Sequence, residues 1–187
     1  MPDGDLLVHA GDLTRKGELD TLEDLDRWLG GLPHRHKVVI CGNHDFCFQE
    51  KPAEARRRIT NAVYLEDGAA TLGGLTVYGS PWQPWFGGWA FNLHPGPELA
   101  AVWAKVPAGT DVLITHGPPA GVLDRTFRGD LVGCRDLFDR VMEVRPRLHV
   151  FGHIHEAAGR LDIDGITFVN ASVYAERGGP FVVEWDA

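Results

Sequence analysis

Short apolar runs punctuate this chain, and each stops abruptly at a polar or glycine position. Residues 6–9, 37–41, 111–115 and 148–151 read as buried strands, because their apolar side chains are nearly continuous and turn formers lie beyond them. Between the first two, Leu19, Leu22, Leu25 and Leu29 recur at helical spacing with acids between them. That spacing predicts a helix that stops at Gly30-Gly31, ahead of Pro33. Further helices are expected over 52–58, 98–105 and 135–144, the last ended by Pro146. Residues 63–65 and 70–72 are brief strands, and Gly73-Gly74 turns the chain into 75–78. A second hairpin joins 160–162 to 166–169 across Asp164-Gly165, and a strand over 181–185 closes the fold. Residues 80–97 form an aromatic loop rich in Gly and Pro, and 117–133 a long loop. Strands and helices alternate in the first half, and the last third is mostly strand. The pattern fits helices packed outside stacked mixed sheets, an α/β fold. With no repeat, low-complexity tract or linker, residues 1–187 read as one domain with a sizeable core.

Composition narrows the function classes. Apolar residues make up 44% of the chain and charged residues 24%, as in ordinary globular proteins. The net charge of −8 argues against a nucleic-acid polymer as partner, since that needs a basic surface to neutralise phosphates. It leaves room for a small phosphorylated substrate, because a bound metal inverts the local field. Cys41, Cys47 and Cys134 contain no CxxC, so reduced thiols in a cytoplasmic protein are preferred to a Cys41–Cys47 bridge. No signal peptide is visible, and no apolar run approaches the ~20 residues of a membrane span. No membrane partner is expected, and an oligomer is left open.

The chemistry sits where the strands end. Four runs finish in Gly11-Asp12, Gly42-Asn43-His44-Asp45, His116-Gly117-Pro118-Pro119 and Gly152-His153-Ile154-His155. Each segment read singly has an ordinary explanation as a turn or a buried histidine. Together they suggest one site assembled from distant segments. Carboxylate, amide oxygen and imidazole suit a catalytic divalent metal rather than a closed thiolate site. Asp12 can bridge two cations, Asn43 offers a neutral oxygen, and His116 an imidazole. In extended backbone His153 and His155 point the same way, so both can reach one cluster, and Gly152 lets the backbone come close.

This order of motifs resembles the calcineurin-like metallophosphoesterase superfamily. The segments Pro2-Asp3-Gly4-Asp5, Ser80-Pro81-Trp82-Gln83-Pro84-Trp85-Phe86, Phe91-Asn92-Leu93 and Phe151-Gly152-His153-Ile154-His155-Glu156 resemble its metallophosphoesterase domain-containing branch. The resemblance spans essentially the whole chain. It implies a four-layer α/β/β/α sandwich, one or two divalent ions, and hydrolysis of small phosphodiesters or nucleotide-like phosphate esters, cyclic nucleotides included. By that resemblance Asp12 bridges two metals, Asn43, His116 and His153 complete one shell, and His155 serves the other. His44 contacts the substrate phosphate and protonates the leaving oxygen, oriented by Asp45. Availability decides among Mn, Fe and Zn, with manganese taken as the working metal.

The sequence departs from the family in one respect. The family's first strand ends in Asp-x-His, and no such motif lies upstream of Asp12. Asp3, Asp5 and His9 do not form one, and His9 reads as core or as a residue behind the ligands. A polypeptide that begins further upstream, a weakened enzyme and a partner chain that fills the gap are the three readings. The competing function is therefore a catalytically weakened nucleotide-binding or scaffold protein with a partial metal site. A metallo-β-lactamase-like hydrolase is a poor fit, because no HxHxDH run is present. Arg125 and Arg128 can clamp a phosphate, and Trp82 with its aromatic neighbours can stack a ring, although self-packing of that loop and solvated arginines explain them as well. His149 reads as a hydrogen-bonded core histidine, and Asn170-Ala171-Ser172 as a structural turn rather than a glycosylation site.

Overall fold

The computed structural model describes residues 1–173 and 179–184. It contains two sheets face to face with helices outside each. The first sheet takes β1 (Leu6–His9), β2 (His36–Val39) and β3 (Val63–Tyr64) in that order, all parallel. The second holds β4 (Gly68–Leu72), β5 (Leu75–Ser80), β8 (Val112–Thr115), β9 (Leu148–Phe151), β10 (Gly159–Ile163) and β11 (Ile166–Asn170). Its order is β10-β11-β9-β8-β5-β4, with a parallel centre and an antiparallel hairpin at each edge. A two-residue ladder, β6 (Gln83–Pro84) against β7 (Asn92–Leu93), ties the aromatic loop to itself.

Three apolar layers separate the four structural ones. Val38 and Ile40 of the first sheet meet Val77, Ile114, Val150 and Val169 of the second. α1 (Leu19–Gly30), α2 (Phe46–Glu50) and α3 (Pro52–Arg57) cover the outer face of the first sheet, where Leu22, Leu29, Phe48 and Ala55 meet Leu7 and Val39. α4 (Pro97–Trp103) and α5 (Arg135–Val144) cover the second, where Leu99, Trp103, Leu137 and Val141 meet Leu113 and Phe168. This is the expected α/β/β/α arrangement. Burying each such Leu or Phe contributes about 1.5–3 kcal/mol.

The predicted elements hold with small shifts. α5 matches its predicted bounds, and Arg145 ends it in left-handed backbone (φ 54°) just before Pro146. Both hairpins turn on paired positive-φ residues, Gly73-Gly74 and Asp164-Gly165. α2 has no sequence signal of its own, since five residues are too few to show a helical period. Residues 181–184 lie outside regular structure instead of forming the expected strand, and Trp185 lies outside the described residues. Among the described residues no helix is long and apolar enough to cross a membrane.

Candidate metal centre

The four strand-end motifs converge. β1 and β2 run parallel in one sheet, β8 and β9 in the other, so each pair delivers its C-terminal end to one side. The sheets are bolted together there. His116 Nδ1 contacts the Ala10 carbonyl at 2.8 Å, and Gly152 N–H donates to the His116 carbonyl at 2.9 Å. Asp12 and His153 both sit in left-handed backbone, at φ 59° and 70°. For residues with a Cβ this costs about 1–3 kcal/mol, and the surrounding structure must hold it. A Cβ at Gly42 would lie 2.3 Å from Asp12 Oδ1 and 2.5 Å from His116 Cε1. A Cβ at Gly11 would lie 2.6 Å from His116 Nδ1. Gly152, expected to admit the cluster, has ordinary room instead, its nearest neighbour being Ser172 Oγ at 3.5 Å. The close approach is made at Gly11 and Gly42.

A carbonyl oxygen can only accept, so in the neutral ring that a metal ligand must present, the Ala10 contact places the His116 proton on Nδ1. Nε2 then presents a lone pair, 2.9 Å from Asn43 Oδ1 and 3.4 Å from Asp12 Oδ1. Three acceptors facing one another without a hydrogen between them repel. A cation among them converts that repulsion into coordination, so this donor set fits a divalent metal. Among the described residues no three His, Cys, Asp or Glu side chains gather closely enough to hold an ion. The triangle uses the Asn43 amide as its third member.

His153 stands beside it, its ring centroid 5.0 Å from that of His116. Burial, and then the neighbouring His116, His155 and His44, push its pKa down to about 3, so the ring is neutral and its lone pair available. His155 is exposed and opens a short 3-10 turn, His155–Ala157. The extended run expected across His153 and His155 does not form, because positive φ at His153 bends it. Asn170 holds the bend: its amide donates to the Ile154 and Leu123 carbonyls, and its oxygen accepts from Ser172 N–H. Asn170-Ala171-Ser172 is thus a buried structural tie. His9 is half-buried behind Asp12, with its Nδ1 buried. Burial lowers its pKa, Asp12 opposes the shift and His116 reinforces it.

His44 has a different partner from the one expected. Its Nδ1 lies 2.5 Å from the Arg15 carbonyl, and Trp89 packs on the ring at a centroid distance of 4.6 Å. Asp45 does not reach the imidazole. Its carboxylate accepts from Leu13 N–H, Thr14 N–H, the Thr14 hydroxyl and Gly42 N–H, at 2.7–3.0 Å. It fastens the Asp12 loop to the Asn43 turn, which in turn places the Arg15 carbonyl. Trp82 turns inward, donating to Asp67 and packing edge-on against Phe91. Trp85 and Phe86 face the site's cavity instead. Arg125 donates to the Gly129 carbonyl and lines a second cavity with Asp124 and Glu156, and Arg128 lies over Phe127. The long loop is organised by Asp124, whose Oδ2 accepts from Gly121 and Gly133 N–H. His149 is bonded to the Thr115 hydroxyl within the core, as expected. The Arg15 carbonyl carried no sequence signal, and the contact of Trp89 with His44 and the hold of Asn170 on the His153 bend were not foreseen from the aromatic loop and the turn in which they were read.

Comparison with known proteins identifies the class. A sequence model of the calcineurin-like phosphoesterase family matches residues 1–157, and the chain belongs to that family. The family is one of phosphoester hydrolases that use divalent metal ions. Metallophosphoesterase domain-containing protein 1 of Homo sapiens is 41% identical over 213 residues, covering 98% of this chain and 65% of its own. A UPF0046 protein of Caenorhabditis elegans is 39% identical, covering 95% of this chain and 52% of its own. The chain thus spans about two thirds or less of the length of these relatives. Phosphopantetheinyl hydrolase of Mycobacterium tuberculosis shares the fold at TM-score 0.60 and 17% identity, covering 90% of this chain and 78% of its own.

Proposed function

We propose that this chain hydrolyses small phosphodiesters or nucleotide-like phosphate esters, cyclic nucleotides included, with a divalent metal held by Asp12, Asn43, His116 and His153. His155 serves a second ion. The observation that carries the reading is the convergence of the Asp12, Asn43 and His116 lone pairs. Bound there, the metal supplies Lewis-acid activation of the phosphoryl group and of the attacking water. Among the residues, His44 does the proton work. Nδ1 is occupied by the Arg15 carbonyl, so Nε2 is the atom that contacts the phosphate and protonates the leaving oxygen. Mn, Fe or Zn suits this mixed donor set. Three free, buried thiols support a cytoplasmic setting.

The test is Mn-dependent hydrolysis of bis(p-nitrophenyl) phosphate and of a phenyl diester, beside His116→Ala and His44→Ala. We expect His116→Ala to abolish the Mn response. We expect His44→Ala to lose more on the phenyl ester, whose leaving group depends more on a proton. Nucleotide binding with turnover no better than His116→Ala would replace this reading with that of a binding protein.

A further inference from the structure

The Arg15 carbonyl, 2.5 Å from His44 Nδ1, belongs to a turn between β1 and α1 whose residues Arg15, Lys16 and Glu18 are all exposed. Packing therefore does not hold that carbonyl, and hydrogen bonds must. Glu18 stands at the N-cap of α1, where a side chain ordinarily accepts from the helix's first N–H groups, yet it makes no such bond. Its carboxylate turns back instead. Oε2 accepts from Arg15 N–H at 3.1 Å and from Lys16 N–H at 2.7 Å. The Lys16 N–H, before any other group, holds the Glu18 carboxyl below its ordinary value. Gly17 lets the turn close on the segment after His44: its φ is 88°, and a Cβ there would lie 2.7 Å from Cys47 N. Gly17 N–H donates to the Thr14 hydroxyl at 2.9 Å, and that hydroxyl is bonded to Asp45. Lys16 N–H and the Arg15 carbonyl are the two ends of one peptide group. In a trans peptide they point opposite ways across a rigid plane. The carboxylate that grips one end therefore aims the other at His44.

We propose that Glu18 is a positioning residue for phosphoester hydrolysis. Through the peptide between Arg15 and Lys16 it holds the His44 ring with Nδ1 bonded and Nε2 free for the leaving oxygen. The inference rests on the phosphoesterase reading and adds to it a residue that acts only through His44. As the bond from phosphorus to the leaving oxygen breaks, its electron pair stays on that oxygen and takes the proton from His44 Nε2. The other ring proton remains on Nδ1, against the Arg15 carbonyl. A ring released from that carbonyl presents Nε2 correctly for only part of the time, so kcat falls while KM changes little.

The experiment uses the full chain with Mn and two methyl diesters, one with a phenyl and one with a p-nitrophenyl leaving group. Glu18→Ala is expected to lower kcat on the phenyl diester about tenfold and to leave KM within about twofold. The p-nitrophenyl diester, which leaves readily without a proton, should lose no more than about twofold in kcat. Glu18→Gln keeps an acceptor oxygen at the same reach and is expected to recover most of the loss. A residue that merely supported the turn would lower both diesters together. Equal losses on the two, no loss on either, or a Glu18→Gln as poor as Glu18→Ala overturn the proposal and leave the phosphoesterase reading intact. If the parent chain turns over neither diester, that reading fails and the ring itself decides. Long-range proton–nitrogen spectra, with His44 identified by the signals missing in His44→Ala, are expected to show its proton on Nδ1 in the parent and divided between Nδ1 and Nε2 in Glu18→Ala. Spectra that Glu18→Ala leaves unchanged overturn the proposal.

Discussion

Two buried carboxylates, Asp26 and Asp45, do the same mechanical job in opposite electrostatic surroundings. Asp26 lies on the buried stripe of α1 with Leu22 and Leu29, and accepts from the backbone and side chains of Thr60 and Asn61. Burial pushes its pKa up, but those donors outweigh it and the carboxyl ends below its ordinary value. Asp45 has a comparable set of donors and ends above its ordinary value, because it is fully buried and Asp12 adds a second negative charge. The donors alone therefore do not set the outcome. The anchor at α1 is electrostatically closed, whereas the strand-end site gathers negative charge and lone pairs in excess of what the protein itself neutralises. That excess is what a cation-binding site needs before the cation arrives.

The largest expected effect comes from removing the anchor at the site. Asp45→Ala leaves three amide N–H groups and a hydroxyl without their buried acceptor, at about 3–5 kcal/mol. Equilibrium urea unfolding measures the loss. Metal-dependent hydrolysis should vanish with it, because the Asp12 loop and the Arg15 carbonyl lose their attachment. Retained hydrolysis in a destabilised variant would show that the loop holds without the carboxylate.

Asp26→Ala is expected to cost less, about 1–2 kcal/mol, since Thr60 and Asn61 are exposed and water replaces the acceptor. Hydrolysis should be unaffected. The pH dependence separates the two anchors. The depressed pKa of Asp26 means its contribution is full above its unfolded value, 3.8, and is lost as pH falls through the lower folded value. The raised pKa of Asp45 means the folded state takes up that proton first, so acidification there favours folding. Urea midpoints compared at neutral pH and near pH 3 should therefore fall less in Asp26→Ala than in the parent chain. An identical fall in both would remove Asp26 from the acid limb.

The same contrast explains what the sequence revealed. The strands, the α1 stripe and the strand-end Asp, Asn and His residues were legible because each is a local pattern or a residue type with one dominant chemistry. Asp45 was legible as important but not in its role, because its partners at Leu13 and Thr14 lie thirty-odd positions away and all but the Thr14 hydroxyl are backbone groups, which every residue carries. Trp82 and Trp85 look alike in the sequence. Only packing decides that Trp82 meets Phe91 and Asp67 while Trp85 is left 54% exposed beside the cavity. The paired direction expected of His153 and His155 failed for a related reason: the positive φ of His153 is held by Asn170, seventeen residues further on.

Trp89 gives the smallest predicted effect and the sharpest. Its ring packs against His44, and the next residue's N–H donates to the Asn43 carbonyl at 3.1 Å, so the aromatic loop presses on the turn that carries the proposed proton donor. The Arg15 carbonyl holds one edge of the imidazole and Trp89 one face. Trp89→Leu keeps apolar bulk and removes the tilted ring contact, so stability should change by no more than about 1 kcal/mol. Turnover should depend on the leaving group. A phenyl diester, whose leaving oxygen needs a well-placed proton, should lose about tenfold in kcat, a fraction of the roughly 100- to 10,000-fold that general-acid catalysis contributes. A p-nitrophenyl diester, which leaves readily without one, should be nearly unchanged. Equal losses on both would mean that Trp89 only shapes the loop and that the alignment of His44 rests on the Arg15 carbonyl alone.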